Sequence, residues 1–211
     1  MSFQLTQEEG EFLVKLARKA VEQYLRTEKI LKMPKNVETK LKEHCGVFVT
    51  INSIEQGGGH ELRGCIGLPY PTTMLAQAVI ESAISSATQD PRFYPMKAEE
   101  LDQVVFEVSV LTPPEPVKVE KPQEYCSKIK VGRDGLIIEH GYYKGLLLPQ
   151  VPVEWKWNEE TFLCQCCIKA GLTPDSWLLK DTKIYKFQCY IAQELTPNGK
   201  VIVKSSFEGL K

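Results

Sequence analysis

Residues 61–71 read ELRGCIGLPYP and place one cysteine between two glycines before two prolines end the stretch. The earlier segment Cys45–Ile51 is rich in β-branched and aromatic residues, which favours a strand. Three glycines at 57–59 predict a flexible turn, so Glu61–Ile66 is expected to return as the antiparallel partner. We expect the segment Gly67–Pro71 to break that strand.

Helices are predicted on both sides of this hairpin. Thr6 and Glu9 have the spacing of a capping box and precede apolar residues at helical intervals. Thr72 or Thr73 is expected to cap a second helix, and Asn158 a third.

The remaining chain predicts short strands and a proline-rich boundary. Pro113, Pro114 and Pro116 form a stiff connector that indicates a boundary between two lobes. Because strands and helices mix without a βαβ rhythm, we predict an α+β fold. Its mainly antiparallel sheet is flanked by helices, with two subdomains sharing one compact core. We treat residues 1–211 as one domain with two intertwined subdomains.

The further strands are predicted over Val104–Leu111, Ile129–Val131, Leu136–Glu139, Lys144–Leu148, Ile184–Ala192 and Lys200–Lys204.

Composition narrows the class of protein. A formal net charge of -1 argues against nonspecific nucleic-acid binding, which needs an excess of Lys and Arg. No run approaches the ~18 apolar residues of a membrane span, and the N-terminus has no secretory pattern, so we expect no membrane association. Seven scattered cysteines, an odd number, are typical of reduced thiols in a cytoplasmic protein.

The candidate active centre is the thiol of Cys65. Strand alternation places Arg63 on the face of Cys65, where its charge is expected to lower the pKa of the thiol. Gly64 and Gly67 would leave room for a ligand to approach the backbone. These features favour a nucleophile; the alternative is a buried cysteine in a tight bend.

A second group of candidates follows in the loop at residues 90–95. Asp90 and Arg92 are expected to bind a polar substrate through its phosphate or carboxylate, or else to form an ion pair that braces the loop. No base can be assigned among His44, His60 and His140 from their positions in the sequence.

Two further motifs carry weaker interpretations. The C-x-x-C motif from Cys164 to Cys167 continues an apolar helix face, so we predict packing and no metal site. Trp155 and Trp157 are interpreted as packing residues, with an aromatic patch for a partner or for base stacking as the alternative.

Several motifs in this order and spacing resemble the AMMECR-domain family, which is widespread in archaea and bacteria. They are Leu62–Gly67 (LRGCIG), Asp90–Phe93, Gly132–Ile138, Leu147–Val151 and Lys169–Leu172. The likeness covers nearly the whole chain, and LRGCIG is its most specific mark. It implies a compact α+β protein in two subdomains and favours a functional role for Cys65.

Two functions are consistent with these features. The first is an enzyme that uses the Cys65 thiol on a small polar substrate. The alternative is a non-enzymatic binding module for a protein or nucleic-acid partner. The sequence indicates no particular cofactor, substrate or oligomeric state.

Overall fold

The computed structural model describes residues 3–55, 57 and 59–205, so Gly58 of the predicted turn lies outside the described residues. The helices are α1 (Gln7–Thr27), α2 (Leu75–Thr88), α3 (Tyr125–Lys128), α4 (Val151–Glu154) and α5 (Glu159–Lys169). The strands are β1 (Gly46–Ile54), β2 (His60–Leu68), β3 (Val104–Leu111), β4 (Glu115–Pro116), β5 (Gly135–His140), β6 (Tyr143–Leu147), β7 (Lys183–Phe187), β8 (Cys189–Glu194) and β9 (Val201–Ser205).

The chain divides into two units, and the first combines the residues up to 111 with Tyr190–Lys204. Its five strands have the order β2-β1-β3-β8-β9, and β1 is antiparallel to both β2 and β3. Val47, Val49 and Ile51 of β1 are buried in one apolar cluster with the side chains of α1 and α2. Alternation along β1 therefore leaves Thr50 on the opposite face of the sheet.

Helix α1 begins at a capping box. The Thr6 hydroxyl accepts from the Glu9 amide, and the Glu9 carboxylate accepts from the Thr6 amide. This confirms the predicted start, because both groups satisfy amides that have no partner within the helix. The helix ends at Thr27, before the left-handed residue Glu28.

A buried ion pair ties α1 to the sheet. The Arg18 guanidinium donates to both carboxylate oxygens of Glu194, and also to the carbonyl oxygens of Leu101 and Val104. The amide of Phe106 donates to Glu194 at 3.0 Å. The charges of both partners are thus paired and hydrogen-bonded, which a buried charge requires.

The second unit comprises Thr112–Cys189 with Ser205. Its strands have the order β4-β7-β5-β6, with β5 antiparallel to β6 and β7. Helix α5 packs closely on β6, since a Cβ at Gly145 would lie 2.6 Å from the Ala170 amide nitrogen. The unit has its own apolar cluster, which includes Leu136, Phe162 and Trp177.

Three predicted element boundaries are wrong. Strand β2 continues through Gly67 to Leu68, because pairing with Phe48 and Val47 extends past the predicted break. The residue before α2 is Met74, without a side-chain cap, in place of Thr72 or Thr73. Residues 129–131 form no strand, although Ile129 is buried in the second cluster.

The predicted strand Ile184–Ala192 is two strands. It divides at Gln188, whose amide donates to the Thr112 hydroxyl and whose carbonyl accepts from the Thr112 amide, both at 2.9 Å. Strand β7 belongs to the four-stranded sheet and β8 to the five-stranded sheet.

The predicted fold class is confirmed, since helices combine with antiparallel sheets. The assignment of one domain with two subdomains stays a prediction. Within the described part of the chain, no helix combines the length and the apolar character needed to cross a membrane.

Candidate functional site

Cys65 lies in a row of polar side chains across three strands. Thr50 of β1 pairs with Cys65 of β2 on one side and with Glu107 of β3 on the other. Paired residues in antiparallel strands project to the same face, so the three side chains form one row. The Thr50 hydroxyl donates to Cys65 Sγ at 3.1 Å. This row lies on the sheet face opposite α2, because Gly64, the neighbour of Cys65, faces the α2 backbone.

Burial governs the protonation of this row. It raises the pKa of the Cys65 thiol, an effect opposed by the Thr50 hydrogen bond and the Arg92 charge and reinforced by Glu107 and Asp90. Burial also raises the pKa of Glu107, against the lowering effect of Ser109. At neutral pH the thiol is therefore protonated, with a carboxyl group of elevated pKa in the same row.

The loop after α2 holds the outer edge of β2 at Cys65. The Cys65 amide donates to Asp90 Oδ2 at 2.8 Å, and Arg92 donates to the Cys65 carbonyl at 3.3 Å. Arg92 also donates to Asp90 from Nε at 2.9 Å and from its terminal nitrogen at 2.6 Å. Since β2 is the edge strand of the described sheet, these two side chains occupy backbone groups on the side of β2 away from β1.

This geometry separates the two loop candidates. The Asp90 side chain is only 2% exposed and is occupied by Arg92 and Cys65, so we assign Asp90 the bracing role. The Arg92 side chain is 53% exposed and stays a predicted substrate-binding residue. The ion pair weighed as an alternative is present in the structure, and one of its members remains open to solvent.

The expected effect of Arg63 on the thiol is wrong. Ile51 pairs with Gly64 and Asn52 with Leu62, so Arg63 occupies a bulge and the regular alternation fails there. Its guanidinium binds Glu100 at 2.8 and 3.2 Å and lies 6.0 Å from the Phe93 ring centre. With the Arg63 charge paired to Glu100, burial leaves the pKa of Cys65 raised.

Packing explains both glycines of the motif. A Cβ at Gly64 would overlap the backbone carbonyl oxygen of Ser86 in α2. A Cβ at Gly67 would overlap the Val47 carbonyl oxygen and the Phe48 ring. The space beside each glycine is filled by protein, so we assign them to close packing in place of ligand approach.

The histidines and the other cysteines have other surroundings. His140 bonds to Thr182 at 3.0 Å, His60 pairs with Ile54 at the start of β2, and His44 forms a bridge with Met74. The last two cysteines of the C-x-x-C motif are buried in the second cluster, as predicted. They are Cys166 and Cys167.

Thr50, Glu107 and Glu100 were not identified from the sequence. Thr50 lies between the apolar residues Val49 and Ile51, and Glu107 lies between Phe106 and Val108, and that alternation could have marked both as facing away from the core. Glu100 carries no such signal, because its pairing with Arg63 depends on the 3₁₀ helix Ala98–Gln103.

Asp90 makes the stability of the first unit depend on pH. The hydrogen bonds from Arg92 hold the pKa of Asp90 below its ordinary value. A carboxyl of depressed pKa stabilises the fold above its unfolded pKa of about 4, and this contribution is lost as the pH falls towards the folded value. We expect Asp90→Asn to cost about 2 kcal/mol at pH 7 in urea unfolding, and progressively less below pH ~4. If Asp90→Asn lowers the unfolding free energy by the same amount at pH 7 and below pH ~4, the bracing role of Asp90 is contradicted. Asp102→Asn, at an exposed position, is the control.

Comparisons with known proteins agree with this architecture. The family model described as AMMECR1 matches residues 14–192. A protein of Thermococcus gammatolerans is 54% identical over 199 residues, covering 94% of this chain and 97% of its own. Protein PH0010 of Pyrococcus horikoshii is 55% identical over 201 residues, covering 95% and 97%. The crystal structure of that protein covers 96% of this chain and 100% of its own, with a TM-score of 0.83.

Proposed function

Given that the chain belongs to the AMMECR1 family, we propose that it is an enzyme in which the Cys65 thiol attacks a small polar substrate. The observation that carries the proposal is the row formed by Cys65, Thr50 and Glu107. The row places two ionisable groups whose pKa values burial raises on either side of one hydroxyl-bearing residue, and such perturbed groups mark a candidate functional site.

The chemistry assigned to the row is nucleophilic substitution at an electrophilic carbon. The thiol sulfur forms a bond to that carbon, and its proton passes to the Glu107 carboxylate. The leaving group departs with the electron pair of its own bond and takes up a proton. Water then breaks the sulfur–carbon bond and restores the thiol. The Thr50 hydroxyl, which already donates to Sγ, stabilises the negative charge on sulfur.

Arg92 is the substrate-binding residue of this proposal. Its half-exposed guanidinium lies beside the Cys65 carbonyl and is held in place by Asp90. A fixed guanidinium binds carboxylate or phosphate oxygens through paired hydrogen bonds. A small substrate carrying such a group fits this position.

An activated ester tests the proposal without knowledge of the substrate. With p-nitrophenyl acetate we expect acetylation of Cys65, detected by mass spectrometry, and release of p-nitrophenolate. Cys65→Ser should abolish both signals, while Cys126→Ser, at another half-buried cysteine, should leave them unchanged. Glu107→Gln should slow acetylation more than tenfold if the carboxylate accepts the proton. Faster acetylation in Glu107→Gln would show that Glu107 acts only as a repulsive charge.

The second candidate function is a binding module without catalysis. The raised pKa of Cys65 favours it, because a protonated thiol is a weak nucleophile. In that case native protein shows no acetylation at Cys65. Charge reversal at Arg92 then removes binding to a protein or nucleic-acid partner, whereas Cys65→Ser retains it.

The proposed setting is the cytoplasm, with the thiols reduced. All seven cysteines are free in the structure, and Cys45, Cys166, Cys167 and Cys189 are buried. Burial raises the pKa of Cys45 to about 11 and that of Cys166 to about 12, so these thiols stay protonated. We therefore expect p-nitrophenyl acetate to acetylate these four buried thiols slowly, and to react mainly with Cys65, Cys126 and Cys164.

A further inference from the structure

The second unit contains a cavity of about 520 Å³ between the α4–α5 connection and α5. This volume is within the range of sites that bind small molecules. Its walls combine aromatic, aliphatic and polar side chains. The lining residues are Leu147, Trp155, Trp157, Gln165, Ile168 and Lys169.

Two tryptophans form one wall of the cavity. The rings of Trp155 and Trp157 are stacked, with centroids 6.2 Å apart and planes inclined by 19°. Lys156 between them has φ of 55°, a left-handed conformation that is uncommon for a residue with a side chain. Trp157 packs on the second apolar cluster, and its amide donates to the Pro152 carbonyl at 2.8 Å. The pair is therefore anchored through Trp157.

Trp155 is exposed where packing alone would favour burial. It is 67% exposed, whereas Trp177 in the same unit is only 4% exposed. Leaving a large aromatic ring in water forfeits much of the hydrophobic stabilisation that burial would supply. An anchored ring that keeps one face open is typical of a stacking surface for a planar ligand. Trp157 therefore packs at the edge of the core, whereas Trp155 packs on Trp157 and keeps most of its surface in solvent.

Helix α5 supplies the polar wall. Gln165 and Lys169 are four residues apart, so they project from the same side of the helix with Ile168 beside them. The Gln165 amide carries both a donor and an acceptor, and the Lys169 ammonium carries a positive charge. A few polar groups of this kind facing an aromatic wall are the usual arrangement for orienting a ring-bearing ligand.

We propose that this cavity binds a nucleotide, with its base stacked on Trp155 and its phosphate paired with Lys169. The Gln165 amide contacts the edge of the base, where it can both donate and accept. The cavity holds one nucleotide, either a free nucleoside monophosphate or the end of a single strand. This site is separate from the thiol chemistry proposed for Cys65, since every lining residue belongs to the second unit.

Isothermal titration calorimetry of the full chain with AMP, adenosine and inorganic phosphate tests the site. We expect AMP to bind more tightly than adenosine, and phosphate alone to bind most weakly. Trp155→Ala should weaken AMP about tenfold, because stacking on a tryptophan supplies much of the affinity. Lys169→Gln should weaken AMP several-fold and leave adenosine unchanged. Tyr142→Ala, which removes another exposed aromatic ring of the same unit, should change nothing.

A short single-stranded RNA separates the two sources of ligand. Tighter binding than AMP, lost in Trp155→Ala, would identify a strand end, whereas equal or weaker binding would identify a free nucleotide. The proposal is overturned if millimolar AMP and RNA both fail to bind. It is equally overturned if Trp155→Ala and Lys169→Gln bind AMP as the unmodified chain does. Trp155→Phe, which keeps a smaller stacking ring, should give an intermediate affinity.

Discussion

Arg18→Met is expected to destabilise the protein by about 3–5 kcal/mol, measured by urea unfolding at pH 7. The substitution keeps an apolar stem of similar length but leaves the Glu194 carboxylate buried, with its side chain 2% exposed. Among the described residues, only the Phe106 amide would still donate to it. The carbonyls of Leu101 and Val104 would lose their donor as well. The cost comes mainly from the uncompensated charge.

Two variants test that explanation. Lys15→Met removes an ion pair with Glu11 on the exposed side of the same helix and should cost less than about 0.5 kcal/mol. The double variant Arg18→Met with Glu194→Met should recover much of the loss, because no charge is then left buried. A double variant less stable than Arg18→Met would show that the pair itself, and not the unpaired carboxylate, determines the stability.

Gly64→Ala is expected to cost about 3 kcal/mol of unfolding free energy, the upper part of the usual range for overpacking. The added methyl group would overlap the backbone carbonyl oxygen of Ser86, so either β2 or α2 must move. A backbone group cannot rotate away as a flexible side chain can. Movement of β2 would also disturb the bond between the Cys65 amide and Asp90.

The matched comparison for Gly64→Ala is Glu61→Ala, at an exposed position of the same strand. It should change the unfolding free energy by less than about 0.5 kcal/mol. Adding Ser86→Ala to Gly64→Ala should give no recovery, because the obstructing atom belongs to the backbone of Ser86. Recovery in that double variant would contradict the assigned cause.

Elements defined by neighbouring residues could be predicted from the sequence. The capping box of Thr6 and Glu9 and the Asn158 cap act over three residues, and the structure contains both. Strand β3 has the predicted bounds, since its four valines and its phenylalanine favour a strand. The division at Gln188 could not be predicted, because it depends on Thr112, which is 76 residues away.

The candidate site was predictable in part. The sequence indicates Cys65 and the Asp90–Arg92 pair as candidates, and the structure brings all three together. The orientation of Arg63 was missed because a bulge cannot be inferred from alternating residues, and its partner Glu100 lies 37 residues away. The effect of burial on the pKa of the Cys65 thiol also depends on tertiary packing, so it could not be predicted from the charges near Cys65 in the sequence.

The contacts made by Asp90 and Arg92 also bear on solubility. An edge strand with open amides and carbonyls can pair with a strand of another molecule and so start aggregation. At Cys65 both backbone groups are occupied, by a carboxylate and a guanidinium that carry opposite charges. The loop after α2 thus competes, within the same molecule, with intermolecular β-pairing at Cys65. Protonation of Asp90 in acid removes its negative charge and weakens its hydrogen bond with the Cys65 amide. We therefore expect self-association of this edge to become more favourable in acid.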